Sequence, residues 1–116
     1  MARFEHVSGN TGCLYLRGNC ISVYCMSEKE WIIMDSGSRY DREELIRFLG
    51  ENAIRVKAVL TSHAHYDHVG NHALLQEMYG CECVMSAFDA GALRDTVALK
   101  SCFYSCTETE IRNHFS

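Results

Sequence analysis

The sequence predicts an α/β domain in which an antiparallel start leads into a mixed sheet with helices on one face. Two β-type runs flank Gly18-Asn19, a dipeptide that can turn a hairpin. From Trp31 onward, strand-like and helix-like segments alternate, which is typical of an α/β architecture. A chain of 116 residues is short enough to form one domain, residues 1–116. A charged fraction of 22% is typical of globular proteins and argues against disorder.

Apolar periodicity and turn-forming residues divide the chain into elements. The predicted strands are 13–17, 21–26, 31–34, 56–61 and 82–85. The run 31–34 is continuous rather than alternating, which predicts a strand buried on both faces. The predicted helices are 41–49, capped by Asp41 and closed by Gly50, and 72–79, which has Leu74, Leu75 and Met78 on one face and ends at Gly80. Further helices are predicted at 87–94 and after the capping pattern Thr107-x-x-Glu110.

Charge and hydropathy argue against several classes of partner. Fifteen Asp and Glu residues against eleven Lys and Arg residues give a net charge of −4. A mildly acidic chain without a basic run lacks the surface that nucleic acids favour. No apolar run approaches the roughly 20 residues of a membrane span, and the first residues contain no apolar secretion signal. We therefore expect a cytoplasmic protein with neither a nucleic-acid nor a membrane partner.

The seven cysteines do not form a pattern typical of a disulfide framework. Their number is odd, no C-x-x-C pair occurs, and the chain has no secretion signal. These features favour free thiols in a reducing compartment. Most of the cysteines are expected to pack as small buried apolar side chains. Metal or redox roles are the less favoured alternative.

The most informative stretch places three histidines and an aspartate within six residues, directly after a predicted buried strand. In an extended segment, residues two apart point the same way, so His63 and His65 can bind one metal ion from one side. Asp67 and His68 follow where the chain turns, and they can face a second position. Imidazole and carboxylate ligands suit zinc, iron or manganese. Sites in α/β sheets lie beyond the carboxyl ends of strands, as this segment does.

The alternative is a polar surface loop in which histidines occur by chance. Four of the six histidines of the chain fall within ten positions, which makes that alternative the weaker one. His72 begins a predicted helix four residues after His68, and we expect a surface role for it rather than metal ligation. His6 and His114 have no partners that the sequence reveals, and both are left out of the candidate site.

The segment His63-Ala-His65-Tyr-Asp67-His68 resembles the H-x-H-x-D-H signature of the metallo-β-lactamase-fold hydrolases. That superfamily includes glyoxalase II-type thioesterases, ribonuclease Z-type nucleases, lactonases and β-lactamases. The context is similar too, since a strand ends in Asp35-Ser36-Gly37, a helix follows, and the next strand ends in Thr61-Ser62-His63. The resemblance covers about residues 12–90. It implies the N-terminal half of an αβ/βα sandwich.

The resemblance implies a role for each residue of the motif. His63 and His65 would bind the first metal ion, and Asp67 and His68 the second. Asp67 would also orient the attacking water or take a proton from it. Asp35 would support the metal loop from outside the ligand set, although Asp-Ser-Gly is also common turn chemistry. The implied cofactor is one or two zinc ions, with iron or manganese as alternatives.

The resemblance also implies ligands that residues 1–116 do not supply. Family members add a third histidine, a bridging aspartate and a further histidine from the C-terminal half of the sandwich. His114 is the only histidine after His72, and it lacks the glycine that precedes the family's ligand. We therefore expect a truncated domain with at most two protein ligands per metal. One face of its sheet would be uncovered, through which the chain is expected to oligomerise.

Three functions remain open from the sequence. The first is a hydrolase that uses a metal-activated water on an ester, thioester or lactone of a small-molecule substrate. The second is a non-catalytic fragment or half-domain that requires a C-terminal partner. The third is a mononuclear-iron dioxygenase relative, because persulfide dioxygenases share the signature. Flavodiiron relatives carry a glutamate where His65 stands, so His65 argues against them.

Overall fold

The structure, a computed structural model, describes residues 2–63 and 66–86, without the side chains of Tyr66 and Asp67. Its strands are β1 (Arg3–Ser8), β2 (Thr11–Tyr15), β3 (Cys20–Cys25), β4 (Glu30–Met34), β5 (Arg55–Leu60) and β6 (Glu82–Val84). Its helices are a 3-10 helix (Arg39–Asp41), α1 (Arg42–Glu51), α2 (Tyr66–Val69) and α3 (His72–Tyr79). The predicted helices at 87–94 and after Thr107 lie outside the described residues.

The six strands form one mixed sheet in chain order. Strands β1 to β4 pair antiparallel, whereas β5 pairs parallel with both β4 and β6. This arrangement confirms the predicted hairpin at Gly18-Asn19 and the α/β alternation that follows it. The change from antiparallel to parallel pairing brings the carboxyl ends of β4 and β5 to the same edge, because α1 returns the chain between them.

Both longer helices pack on the same face of the sheet. Leu45 and Leu49 of α1 and Leu75 of α3 are almost fully buried. They belong to one apolar cluster with the inward side chains of the strands, among them Leu14, Ile21, Ile33, Val56 and Val59. The prediction of helices on one face is therefore confirmed.

The described residues leave the opposite face of the sheet uncovered, and the prediction that residues 31–34 are buried on both faces is wrong. Trp31 and Ile33 are 3% and 1% exposed, whereas Met34, which points to the other side, is 39% exposed. No helix among residues 2–63 and 66–86 covers that side. Tyr24, Met34 and Leu60 line a shallow groove of about 360 Å³ there. The side chains of residues 31–34 thus alternate between the core and the apolar face that the described residues leave uncovered.

The helix that follows β4 differs from its prediction at both ends. The Asp41 side chain does not cap α1, because its carboxylate accepts bonds from Ser38 N and Asn19 Nδ2 at 3.0 and 2.6 Å. Gly50 lies inside α1, and the chain reverses instead at Ala53, which has a φ of +52°. By contrast, α3 matches its predicted range, and Gly80 ends it with a φ of +63°.

Further predictions about α3 and the cysteines hold in part. Leu75 is buried as predicted, but Met78 is 43% exposed because it lies beyond the edge of the buried face of α3. The five described cysteines are free thiols, and of these only Cys81 is buried. Cys25 and Cys83 are half-buried against the core, Cys13 is half-buried, and Cys20 is exposed. Within the described residues, no helix has the length and apolar character needed to cross a membrane.

Candidate metal centre

Asp35 and the segment that begins at Thr61 lie where the two parallel central strands end. Met34 pairs with Leu60 at the last position of the β4–β5 ladder. The next residue, Asp35, continues the pairing, because its amide donates to the Leu60 carbonyl at 2.7 Å. Asp35 and the loop that begins at Thr61 therefore start side by side. This is the edge at which α/β sheets place their functional sites.

Asp35 has a strained backbone that its side-chain contacts hold in place. Its φ of +66° lies in the left-handed region, which non-glycine residues seldom adopt. Its carboxylate is nearly buried and accepts three hydrogen bonds. Ser62 donates its amide to Oδ1 at 2.8 Å and its hydroxyl to Oδ2 at 2.6 Å, while Nδ1 of His68 lies 2.9 Å from Oδ2. The Asp35 carboxylate therefore contacts Ser62, directly before His63, and also His68 at the end of the histidine segment.

Two of the four predicted ligands are described completely, and the structure brings them together. The ring centroids of His63 and His68 are 4.1 Å apart. Nδ1 of His63 also lies 2.9 Å from Oγ of Ser62. His65 and the Asp67 side chain lie outside the described residues, and the backbone of Asp67 lies in α2.

The described residues fit a metal ion in their chemistry. Two imidazoles lie side by side, and a carboxylate contacts the Nδ1 side of one of them directly. Metal-binding histidines commonly donate their second ring N–H to such a carboxylate. Among the described side chains, no group of three His, Cys, Asp or Glu residues is arranged around a common point to hold an ion. His63 and His68 are therefore only the described part of the predicted ligand set.

A buried network that the sequence did not predict joins the turn after Asp35 to the start of α3. Asn71 is fully buried and donates Nδ2 to the carbonyls of Ser36 and Ser38 at 2.7 and 2.9 Å. Arg42 donates Nε to Oδ1 of Asn71 at 2.8 Å. An asparagine before a helix normally indicates a cap, and nothing in the sequence shows that this amide instead binds a turn 33 residues away. The network fixes the Asp35 turn against α2 and α3.

His72 is buried, so the expected surface role is wrong. It is 6% exposed, because the start of α3 packs against the Asp35 turn. Its ring bridges two hydroxyl groups, with Nδ1 at 2.7 Å from Ser36 Oγ and Nε2 at 2.8 Å from Thr61 Oγ1. Both ring nitrogens are thus engaged by protein groups, which agrees with leaving His72 out of the ligand set. Burial lowers the pKa of His72 to about 4, against a smaller opposing effect of the Asp35 charge.

The lowered pKa of His72 predicts a loss of stability in mild acid. The folded state keeps the ring neutral, whereas the unfolded chain takes up a proton as the pH falls below about 6.5. The stability is therefore complete above that pH and is lost progressively as the pH falls from about 6.5 towards 4. We expect the free energy of unfolding to fall by about 2 kcal/mol between pH 7 and pH 5 from this group alone.

Urea unfolding at the two pH values, in wild type and His72→Gln, measures this contribution. The glutamine variant is expected to be less stable at pH 7 but to lose about 2 kcal/mol less than wild type on acidification. Other groups that titrate contribute to both proteins and cancel in the comparison. An equal loss in the two proteins would contradict the assignment of the effect to His72.

Comparison with known proteins agrees with this geometry. A sequence model of the metallo-beta-lactamase superfamily matches residues 15–100, which is most of the chain. The chain belongs to the metallo-beta-lactamase superfamily. The matched range contains the Asp35 turn, the histidine segment and the elements that carry them. The expected family and its fold are therefore confirmed.

Two individual proteins contain stretches of similar sequence. The chain is 36% identical over 44 residues to a hydroxyacylglutathione hydrolase of Pelagibacter ubique (strain HTCC1062), which covers 38% of this chain and 18% of that protein. It is 31% identical over 80 residues to an uncharacterized protein, ML0493, of Mycobacterium leprae (strain TN). That match covers 69% of this chain and 36% of the Mycobacterium leprae protein.

Among solved structures, MEM-A1, a subclass B3 metallo-beta-lactamase from a soil metagenome library, superposes with a TM-score of 0.67 at 25% identity. The superposition covers 81% of this chain and 36% of that one. The chain thus spans about a third of the length of this structure and of the Mycobacterium leprae relative, and a smaller share of the hydroxyacylglutathione hydrolase.

Proposed function

We propose that the protein is a zinc-dependent hydrolase whose first ion is held by His63 and His65 and whose second ion is held by Asp67 and His68. The observation that carries the proposal is the position of Asp35, whose carboxylate contacts both Ser62 and Nδ1 of His68. Membership of a superfamily that contains metal-dependent hydrolases supports the same assignment. Iron or manganese in place of zinc is an alternative that measured metal content distinguishes.

The proposed chemistry divides between the metal and the residues of this chain. When bound, zinc activates water at neutral pH and polarises the substrate oxygen. Asp67 orients the attacking water or accepts its proton, and it is the residue we propose as catalytic. Asp35 does not touch the substrate. It holds His68 in one orientation through the 2.9 Å contact to Nδ1.

We further propose a small-molecule ester, thioester or lactone as the substrate. The relative from Pelagibacter ubique is named as a hydroxyacylglutathione hydrolase, which supports the thioester class. The net charge of −4 disfavours a phosphodiester backbone. A cytoplasmic location and the absence of nucleic-acid and membrane partners stay predictions.

A non-catalytic half-domain is the second candidate, and the number of ligands favours it for residues 1–116 taken alone. Two protein ligands per ion are fewer than the three of an ordinary catalytic zinc site. We propose that the remaining ligands come from a further segment of chain or from a partner chain. Sequencing the coding DNA beyond codon 116 tests this. A continued frame with a Gly-His, a later Asp and a final His supports the hydrolase, whereas an immediate stop supports the half-domain.

Activity and metal content together test the hydrolase. The zinc-loaded protein, with any continued frame included, is assayed against ester, thioester and lactone substrates beside Asp67→Asn. The variant is expected to lose most of its turnover while keeping the first ion, because its two histidines remain. Turnover that persists in Asp67→Asn would contradict the proposed role. Iron rather than zinc in the active protein would favour the dioxygenase relative.

The sheet face that residues 2–63 and 66–86 leave uncovered is the basis for a predicted self-association. Tyr24, Met34 and Leu60 expose apolar surface there, and such patches associate in water. We expect Met34→Lys to shift the protein towards monomer in size-exclusion chromatography with light scattering. Met78→Lys is the matched control, because Met78 is similarly exposed but lies on α3. Association that both variants reduce equally would place the interface elsewhere.

A further inference from the structure

We propose that Ser62 is a positioning residue that connects Asp35 to His63, so that one carboxylate orients a ring of each proposed metal position. The assignment of His63 to the first position and His68 to the second rests on the proposed function. The connection itself rests on hydrogen-bond geometry. Ser62 was not among the residues that the motif assigned to the site.

The proton count at Ser62 determines the direction of each bond. The hydroxyl has one hydrogen, and its oxygen lies 2.6 Å from Oδ2 of Asp35 and 2.9 Å from Nδ1 of His63. An ionised carboxylate only accepts hydrogen bonds, so the hydroxyl hydrogen lies on the Asp35 side. The Ser62 oxygen must then accept from His63, which requires a proton on Nδ1. In the neutral ring, the lone pair of His63 is therefore on Nε2.

A direct contact with Asp35 holds His68 in the same Nδ1–H tautomer. Its Nδ1 lies 2.9 Å from Oδ2 of Asp35, and a carboxylate oxygen accepts the Nδ1–H. The lone pair of neutral His68 is therefore also on Nε2. The Ser62 amide donates to Oδ1 at 2.8 Å and so prevents the carboxylate from turning away. Asp35 thus sets the tautomer of His68 directly and that of His63 through one hydroxyl.

This arrangement makes a selective prediction for Ser62. Alanine at this position removes the acceptor of the His63 Nδ1–H and leaves the Asp35–His68 contact unchanged. The His63 ring thereby loses the Ser62 acceptor that favours a proton on Nδ1, so the share of the Nε2–H tautomer is expected to rise. Ser62→Thr keeps the hydroxyl. Ser62 is exposed, so the added methyl group has room.

Nitrogen-15 NMR of the neutral histidine rings in the metal-free protein tests the connection directly. We expect both His63 and His68 to be Nδ1–H tautomers in wild type and in Ser62→Thr. In Ser62→Ala, His63 is expected to gain the Nε2–H form while His68 stays unchanged. A His63 tautomer that Ser62→Ala leaves unaltered, or an equal change in both rings, would overturn the proposal. Matching melting temperatures exclude a general loss of structure.

Zinc titration separates this proposal from the proposed function. If His63 is a ligand, Ser62→Ala is expected to weaken the first zinc site about 10- to 100-fold, and Ser62→Thr to restore it. With any continued frame included, a protein that shows the tautomer change but binds no zinc would retain the Ser62 connection and refute the proposed function. A protein that binds zinc without the tautomer change would refute the connection alone.

Discussion

Replacing either His63 or His65 with alanine is expected to abolish zinc binding at the first position. Each change removes one of only two ligands that this chain is proposed to supply there, and a single imidazole does not define a zinc site. The number of zinc ions per chain is measured by elemental analysis after dialysis against a weak chelator. It should fall by the number that wild type binds at the first position. The second position, which Asp67 and His68 are proposed to hold, should lose much less.

Two other histidines provide the controls. His6 lies on β1, distant in sequence from the candidate centre and exposed, so His6→Ala should leave zinc content unchanged. His72→Ala should reduce the stability of the fold, because it breaks the bridge between Ser36 and Thr61, but it removes no ligand. If His72→Ala lowered zinc content as much as His63→Ala in protein that is still folded, the ligand assignment would be wrong.

Replacing Gly70 with alanine is expected to destabilise the protein by about 3 kcal/mol or more. A Cβ atom at Gly70 would lie 2.6 Å from the backbone nitrogen of Arg39 and 2.9 Å from the carbonyl oxygen of Gly37. Those atoms belong to the turn that Asn71 and Arg42 hold in place, so neither side can move without breaking buried hydrogen bonds. The loss includes the 2.9 Å bond from the Gly70 amide to the Gly37 carbonyl. Urea unfolding monitored by circular dichroism measures it.

Gly50→Ala is the matched control for the Gly70 variant. A Cβ at Gly50 would meet nothing within 4 Å, and the residue lies inside α1. Because alanine favours helix more than glycine does, this variant should gain roughly 0.5–1 kcal/mol. Similar small changes in the two variants would show that the turn after Asp35 does not pack on Gly70 as described.

The strands and helices that carry the site could be predicted because their signals are local. Alternation in β2 and β3, and the spacing of Leu75 before Gly80 in α3, depend on residues close together in the sequence. Strand β1 is not predictable from its side-chain pattern, because Phe4 alone of its side chains packs against the core and the others are exposed. It forms by pairing with β2, and pairing leaves no periodic trace in the sequence.

The candidate site shows the same division between local and distant information. The histidine motif assigned His63 and His68 to two metal positions, and the two rings lie close together in the structure. The burial of His72 and the role of Asn71 could not be predicted, because both depend on contacts with Ser36, more than 30 residues earlier. The exposed side of β4 could not be predicted either, since a continuous apolar sequence does not reveal which face of the strand is covered.

X-ray absorption spectroscopy at the zinc edge of the loaded protein tests the central claim most directly. The proposed centre predicts nitrogen and oxygen ligands near 2.0–2.1 Å, with no sulfur ligand despite seven cysteines. With both positions filled, it also predicts a zinc–zinc distance of about 3.5–4 Å. This nitrogen and oxygen signal should disappear when His63, His65, Asp67 and His68 are replaced together. Sulfur ligands near 2.3 Å, or zinc that remains bound in the quadruple variant, would contradict the proposed centre.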